Sequence, residues 1–188
     1  MGESIIRGQT DAVALKRPWM FLDVDGVLNA FARARRLPAE AFEDFRSVPA
    51  LGFELWLSAE MGRRLATLPV DIAWSTTWSP YVDDVIAGAV GLPRGLPVAA
   101  TPPEDGQWHL GWKLDQVASF LAADVRPFVW LDDDALDAPA SDGRTARQWA
   151  AELNVPSLLI APSPKTGLSR GELEAIESWL GDLGEPVG

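Results

Sequence analysis

Three short apolar runs, each ending in carboxylates or hydroxyls, constrain this chain more than any other feature. Trp19 to Val24 enters Asp23-Val24-Asp25-Gly26, which reads as a buried strand closing in a turn. Val70 to Trp74 reads as a second strand that delivers Ser75 and Thr76, and Phe128 to Leu131 as a third that delivers Asp132 and Asp133. Helical signals lie between the strands. Ser58 is placed as an N-cap ahead of Met61, Leu65 and Leu68, and Pro69 ends that helix. Pro80 opens another, with Asp83 and Asp84 in its first turn and Gly91 beyond its end. The stretch from Gly91 to Gly106, rich in proline and glycine, reads as a loop. Further helices are predicted over Trp112 to Leu121 and Arg144 to Leu153, with a fourth strand at Ser157 to Ile160. Ser169 and Glu172 form a capping box for a last helix carrying Leu173, Ile176 and Leu180, before a frayed tail from Gly181. Strands alternating with helices imply a parallel sheet covered on both faces, a three-layer α/β/α Rossmann-like arrangement. Ligands bind beyond the carboxyl ends of such strands, where all three polar clusters fall.

Composition narrows the chemistry. The 188 residues suit one domain with a sizeable core, here taken as 18–180 after a loose start over 1–17. With no cysteine and a single histidine, His109, thiolate sites and a multi-histidine zinc site within one chain are excluded. No apolar run approaches the roughly 20 residues needed to cross a bilayer, and the first residues lack the apolar core of a secretory signal, so a cytoplasmic location is the default. A net charge of −11 argues against non-specific nucleic-acid binding, although Arg33, Arg35 and Arg36 could form a local basic patch.

Within Asp23-Val24-Asp25, period-two alternation would put both carboxylates on one side if the strand continued. Acids held that close repel each other unless a proton or a cation intervenes. Asp132 and Asp133 would add oxygens from a neighbouring strand, and burying so many acids without a metal is costly. An oxygen-only ligand set favours magnesium over zinc.

At these residues the chain resembles the haloacid dehalogenase (HAD) superfamily, with its four signatures in order across roughly Pro18 to Leu180. Asp23-Val24-Asp25-Gly26-Val27 resembles the first, Trp74-Ser75-Thr76-Thr77-Trp78 the second, Lys113 the third and Trp130-Leu131-Asp132-Asp133-Asp134 the fourth. It is closer still to a small actinobacterial-type group that looks like stand-alone counterparts of the HAD domain in multidomain RNA-repair proteins. The shared segments are Phe21 to Asn29, Trp74 to Trp78, Gly91 to Pro93, Leu96 to Val98, Trp112-Lys113, Asp132-Asp133 and Lys165 to Leu168.

The resemblance implies a magnesium-dependent phosphohydrolase. Asp23 would be the nucleophile, Asp25 the acid and base, and Lys113 the cation that holds nucleophile and phosphate together. Thr76 or Ser75 would hydrogen-bond the phosphoryl group, with Thr77 beside them; alignment on Trp78 favours Thr76 and a simple end-of-strand rule favours Ser75. The metal would take the Asp23 carboxylate, the main-chain carbonyl of Asp25, Asp132, and Asp133 directly or through water. Asp25 marks the phosphatase and phosphomutase pattern, since the dehalogenase branch lacks an acid there.

Plainer roles compete at several positions. The hydroxyls could cap a helix, Lys113 could be a solvated helix lysine, and Asp134 reads as a cap or surface acid. The nine tryptophans are read first as packing residues and second as base-stacking faces. The insert from Asn29 to Leu57, roughly 29 residues, is too short for a large cap domain and fits a hairpin or helical flap. An open site of that kind would admit a phosphorylated small molecule, a nucleotide or a nucleic-acid end. A binding module with little catalysis, and a phosphotransferase or mutase, are the rival functions.

Overall fold

In the computed structural model, residues 16–31, 39–79, 81–104, 106 and 109–184 are described. The basic patch expected of Arg33, Arg35 and Arg36, the helix start expected at Pro80, and Trp108 lie outside them. Five strands form one parallel sheet: β1 (Trp19–Leu22), β4 (Asp71–Ser75), β5 (Val98–Ala100), β6 (Phe128–Leu131) and β7 (Ser157–Ile160). The insert between β1 and β4 builds a separate antiparallel pair, β2 (Arg46–Ala50) and β3 (Phe53–Leu57). The helices are α1 (Ala59–Thr67), α2 (Gly88–Val90) reached through a π-helical turn at Asp83–Ala87, α3 (Trp112–Ala123), α4 (Ala146–Glu152) and α5 (Arg170–Gly184).

Sheet order is β5-β4-β1-β6-β7. The chain therefore builds outward on one side of β1, then crosses to the other side. The crevice beyond β1, where the order reverses, is the usual ligand position in such sheets. Register brings Leu22 level with Trp74 on one neighbour and Leu131 on the other, so the residues that follow emerge together.

Alternation along the strands divides the core between two faces. Met20, Leu22, Ile72 and Trp74 pack with Met61 and Leu65 of α1 and Leu173 and Ile176 of α5. Phe21, Ala73, Phe128 and Trp130 pack with Leu114, Val117 and Leu121 of α3 and Trp149 of α4. Helices on both faces complete the three layers expected from the sequence.

Local signals account for most boundaries. Ser58 accepts the Met61 N–H and caps α1; Thr145 and Gln148 close a capping box at α4; Ser169 and Glu172 form the box predicted at α5. Two differences stand out. α5 continues past Gly181 to Gly184. The stretch read as a loop contains β5, a three-residue edge strand too short to show periodicity. At the hairpin tip, Leu51 (φ 50) and Gly52 (φ 86) are both left-handed, the geometry of a two-residue type I′ turn. Among the described residues no helix is long and apolar enough to cross a membrane.

Candidate active site

The crevice beyond β1 gathers side chains from three strand ends and one helix. Asp23 follows β1 directly and is almost fully buried. Its Oδ1 accepts the Val24 N–H at 2.6 Å, and its Oδ2 accepts the Lys113 ammonium at 2.5 Å. Lys113 comes from the first turn of α3. That helix starts against the 139–140 segment, because a Cβ on Gly111 would lie 2.3 Å from the Pro139 carbonyl oxygen. The same ammonium donates to Asp132 Oδ2 at 2.8 Å. Asp132, fully buried after β6, also accepts the Asp134 and Ala135 N–H groups on Oδ1. One buried cation thus bridges two buried carboxylates.

Burial pushes the Asp23 carboxyl up to about 7; the Asp132 charge adds to the rise and Lys113 opposes it. Burial also raises Asp132, again against Lys113. Burial pushes Asp133 to about 6, with the charges of Asp134 and Asp132 adding to it. For Lys113 burial works downward, but the two carboxylates outweigh it and hold the ammonium well above its ordinary value. Acids lifted this far are short of positive charge.

Carboxylate oxygens of Asp23, Asp132, Asp133 and Asp134 all lie within 4.8 Å of one another, so a single ion could bridge them. The all-oxygen donor set suits a hard divalent cation. Gly26 makes this possible. Its φ of +71° suits glycine, and a Cβ there would lie 2.2 Å from the Asp133 carboxyl carbon.

Asp25 stands apart from that cluster. The strand stops at Leu22, so the alternation that would have put Asp23 and Asp25 on one side does not persist. Asp25 Oδ1 accepts the Asn29 amide at 2.7 Å, and Oδ2 accepts the Trp78 indole N–H at 2.9 Å. Asn29 Oδ1 in turn accepts the Trp56 N–H, tying the β2–β3 hairpin to this acid.

Ser75 and Thr76 are both fully buried at the end of β4. Ser75 Oγ has no hydrogen-bond partner, whereas Thr76 Oγ1 accepts the Trp78 N–H at 3.3 Å. Thr77 is exposed and lines two openings, one beneath the hairpin beside Asp25 and one beside Lys113 and His109. His109 itself pairs with Asp115 at 3.0 Å. The Lys165–Leu168 loop packs on the turn after β1, where Leu168 N–H donates to the Val27 carbonyl.

The predicted residues thus fall into two groups, Asp23, Lys113, Asp132 and Asp133 in one and Asp25 with Thr76 and Thr77 around Trp78 in the other, while Ser75 is buried at the end of β4 without a polar partner in either. Asp134, Asn29 and Trp78 were given no part by the sequence. For Asn29 and Trp78 the signal was their place at the ends of the shared segments Phe21 to Asn29 and Trp74 to Trp78. Asp134 closes the fourth signature segment but was read as a cap or surface acid, because adjacency to Asp133 does not say where a carboxylate turns.

Comparison with curated proteins and with solved structures yields no match. Residues 19–173, which include every residue of this crevice, match the family described as the HAD domain in Swiss Army Knife RNA repair proteins, and the chain belongs to that family of HAD-like hydrolases.

Proposed function

We propose that the protein is a magnesium-dependent phosphomonoesterase working through an aspartyl-phosphate. The observation that carries this reading is the Lys113 ammonium 2.5 Å from Asp23 and 2.8 Å from Asp132, with a second acid, Asp25, oriented separately nearby. A nucleophile beside a cation and an acid at a distance are the parts that two-step phosphoryl transfer requires.

A carboxylate oxygen of Asp23 forms the new O–P bond as the P–O bond to the leaving group breaks. Asp25 gives its proton to the departing oxygen. It then takes a proton from the water that attacks phosphorus, which releases phosphate and restores Asp23. Lys113 offsets charge on the phosphoryl oxygens. Thr76 is the preferred hydroxyl donor on the alignment on Trp78, whose N–H its oxygen accepts while its own proton is left to donate; Ser75 and Thr77 stand beside it in sequence. Asp23, Asp132 and Asp133, with the Asp25 carbonyl, would hold magnesium; the close acidic cluster supports that assignment, in which burial first and the neighbouring acids second leave Asp23 and Asp133 hard to ionise. The ion supplies positive charge for the phosphoryl group.

The test is phosphate release from p-nitrophenyl phosphate with and without magnesium, by wild type and Asp23→Asn. Release that needs both the metal and Asp23 is expected. Equal inertness of the two proteins across small phosphomonoesters and phosphorylated oligonucleotide ends would remove the reading.

A further inference from the structure

The β2–β3 hairpin leaves a cavity of about 660 Å³ against the turn after β1 and the segment after β4. That size falls among small-molecule sites, which run to roughly 300–1,000 Å³. Asp25 and Thr77 are among its lining residues, so the cavity reaches the proposed acid and base. Its walls are aromatic: Phe31, Phe53, Trp56, Trp78 and Tyr81. Three of these rings are largely uncovered, Phe31 at 57%, Phe53 at 67% and Tyr81 at 53% exposure, although rings are usually buried for packing. Leu51 also lines the cavity from a left-handed position at the hairpin tip that would suit glycine or asparagine better. An apolar side chain held there at a conformational cost points to something apolar beneath it.

The charges narrow the occupant. Among the described residues that line the cavity there is no lysine or arginine, and two are carboxylates, Asp25 and Glu54. The described lining offers no cation to a second phosphate, so the group seated in the cavity is uncharged and any further phosphodiester lies outside it. A flat, uncharged ring would stack on the exposed faces. Glu54 adds an acceptor suited to the exocyclic amine of adenine, cytosine or guanine, which a phenol ring lacks.

We propose that the cavity under the β2–β3 hairpin is the leaving-group subsite and takes the terminal nucleoside of a phosphomonoester, its base stacked among Phe53, Trp78 and Tyr81. This rests on the reading of Asp25 as the acid, because the oxygen Asp25 protonates is then a hydroxyl of the nucleoside seated there. The Trp78 indole also donates to Asp25, so one side chain both walls the subsite and orients the acid.

Two measurements test this. The first is calorimetric titration of adenosine into the wild type, Phe53→Ala and Tyr81→Ala, with circular dichroism to verify that each variant is folded. Adenosine should bind the wild type, and each truncation should weaken it about tenfold, within the 1–3 kcal/mol range of one stacked base. The second is the ratio of kcat/KM for adenosine monophosphates to that for glycerol phosphate, expected to exceed about tenfold and to fall in Phe53→Ala. Parallel arms with 3′- and 5′-phosphorylated oligoadenylates tell a free nucleotide from a strand terminus, and either supports the subsite.

Absent adenosine binding, affinity that survives both truncations, or faster turnover of phosphotyrosine than of every nucleotide would overturn the proposal. Adenosine binding without turnover of any phosphomonoester would instead sink the phosphatase reading and leave the subsite standing. Turnover of glycerol phosphate and nucleotides alike, without adenosine binding, would do the reverse.

Discussion

Replacing Lys113 by methionine keeps most of the buried stem and removes the charge that bridges Asp23 and Asp132. Both carboxylates are buried, and Lys113 is the first opposing influence on the upward shift of each. Breaking a buried pair in this way costs about 3–5 kcal/mol, because a charge is left without its partner. For a chain of this size, each kcal/mol corresponds to about 2–4 °C, so Tm should fall by about 6–20 °C. The pH dependence fixes the sign. Asp23 already titrates near 7 in the folded protein against 3.8 ordinarily, and loss of the cation lifts it further. The folded variant then holds protons that the unfolded chain releases, so its deficit relative to wild type should shrink towards about pH 5 and be largest near about pH 8. Differential scanning calorimetry across that range, without added divalent cations, reads the effect. A variant within about 1 kcal/mol of wild type at every pH would show that the lysine is not neutralising the pair.

Magnesium should raise Tm in the wild type, by about 5–11 °C at a hundredfold excess over Kd, measured by thermal denaturation. The rise should be small near about pH 5, where the folded Asp23 and Asp133 keep their protons, and full near about pH 8, once both are ionised. Gly26→Ala combines a left-handed backbone, which alone costs about 1–2 kcal/mol, with a Cβ 2.2 Å from Asp133, so the loss should exceed that figure and magnesium affinity in titration calorimetry should fall with it. Gly171→Ala, in α5 with nothing within 4 Å, is the control and should be neutral or stabilising. Trp78→Phe keeps the ring and removes the N–H that holds Asp25 Oδ2. It should lower kcat about tenfold on alkyl phosphates with little change in KM, and affect p-nitrophenyl phosphate less, because p-nitrophenolate departs without a proton; equal losses on both substrates would mean a purely structural role.

The parallel sheet was legible because four of its strands, edge strand β7 included, are short apolar runs bounded by turn residues. Phe128–Leu131 and Ser157–Ile160 were predicted residue for residue. β5 was not, because Val98–Ala100 is only three residues long between Pro97 and Pro102, where pairing rather than periodicity makes the strand. In the site, Asp23, Lys113 and Asp132 could be named from their segments, since each follows a strand end or opens a helix. The parting of Asp23 from Asp25 could not. It depends on β1 stopping at Leu22 and on donors from Asn29 and Trp78, contacts that alternation along one strand does not encode.

The covalent intermediate tests the central claim most directly. Asp25→Asn mixed rapidly with p-nitrophenyl phosphate and magnesium should release nitrophenol in a burst of about one per chain, because the leaving group needs no proton while the attacking water lacks its base. Acid quenching and mass spectrometry should then find one phosphoryl group on the peptide containing Asp23, and none when Asp23→Asn is added. A burst that survives Asp23→Asn, or a phosphoryl group carried by any other residue, would contradict Asp23 as the nucleophile.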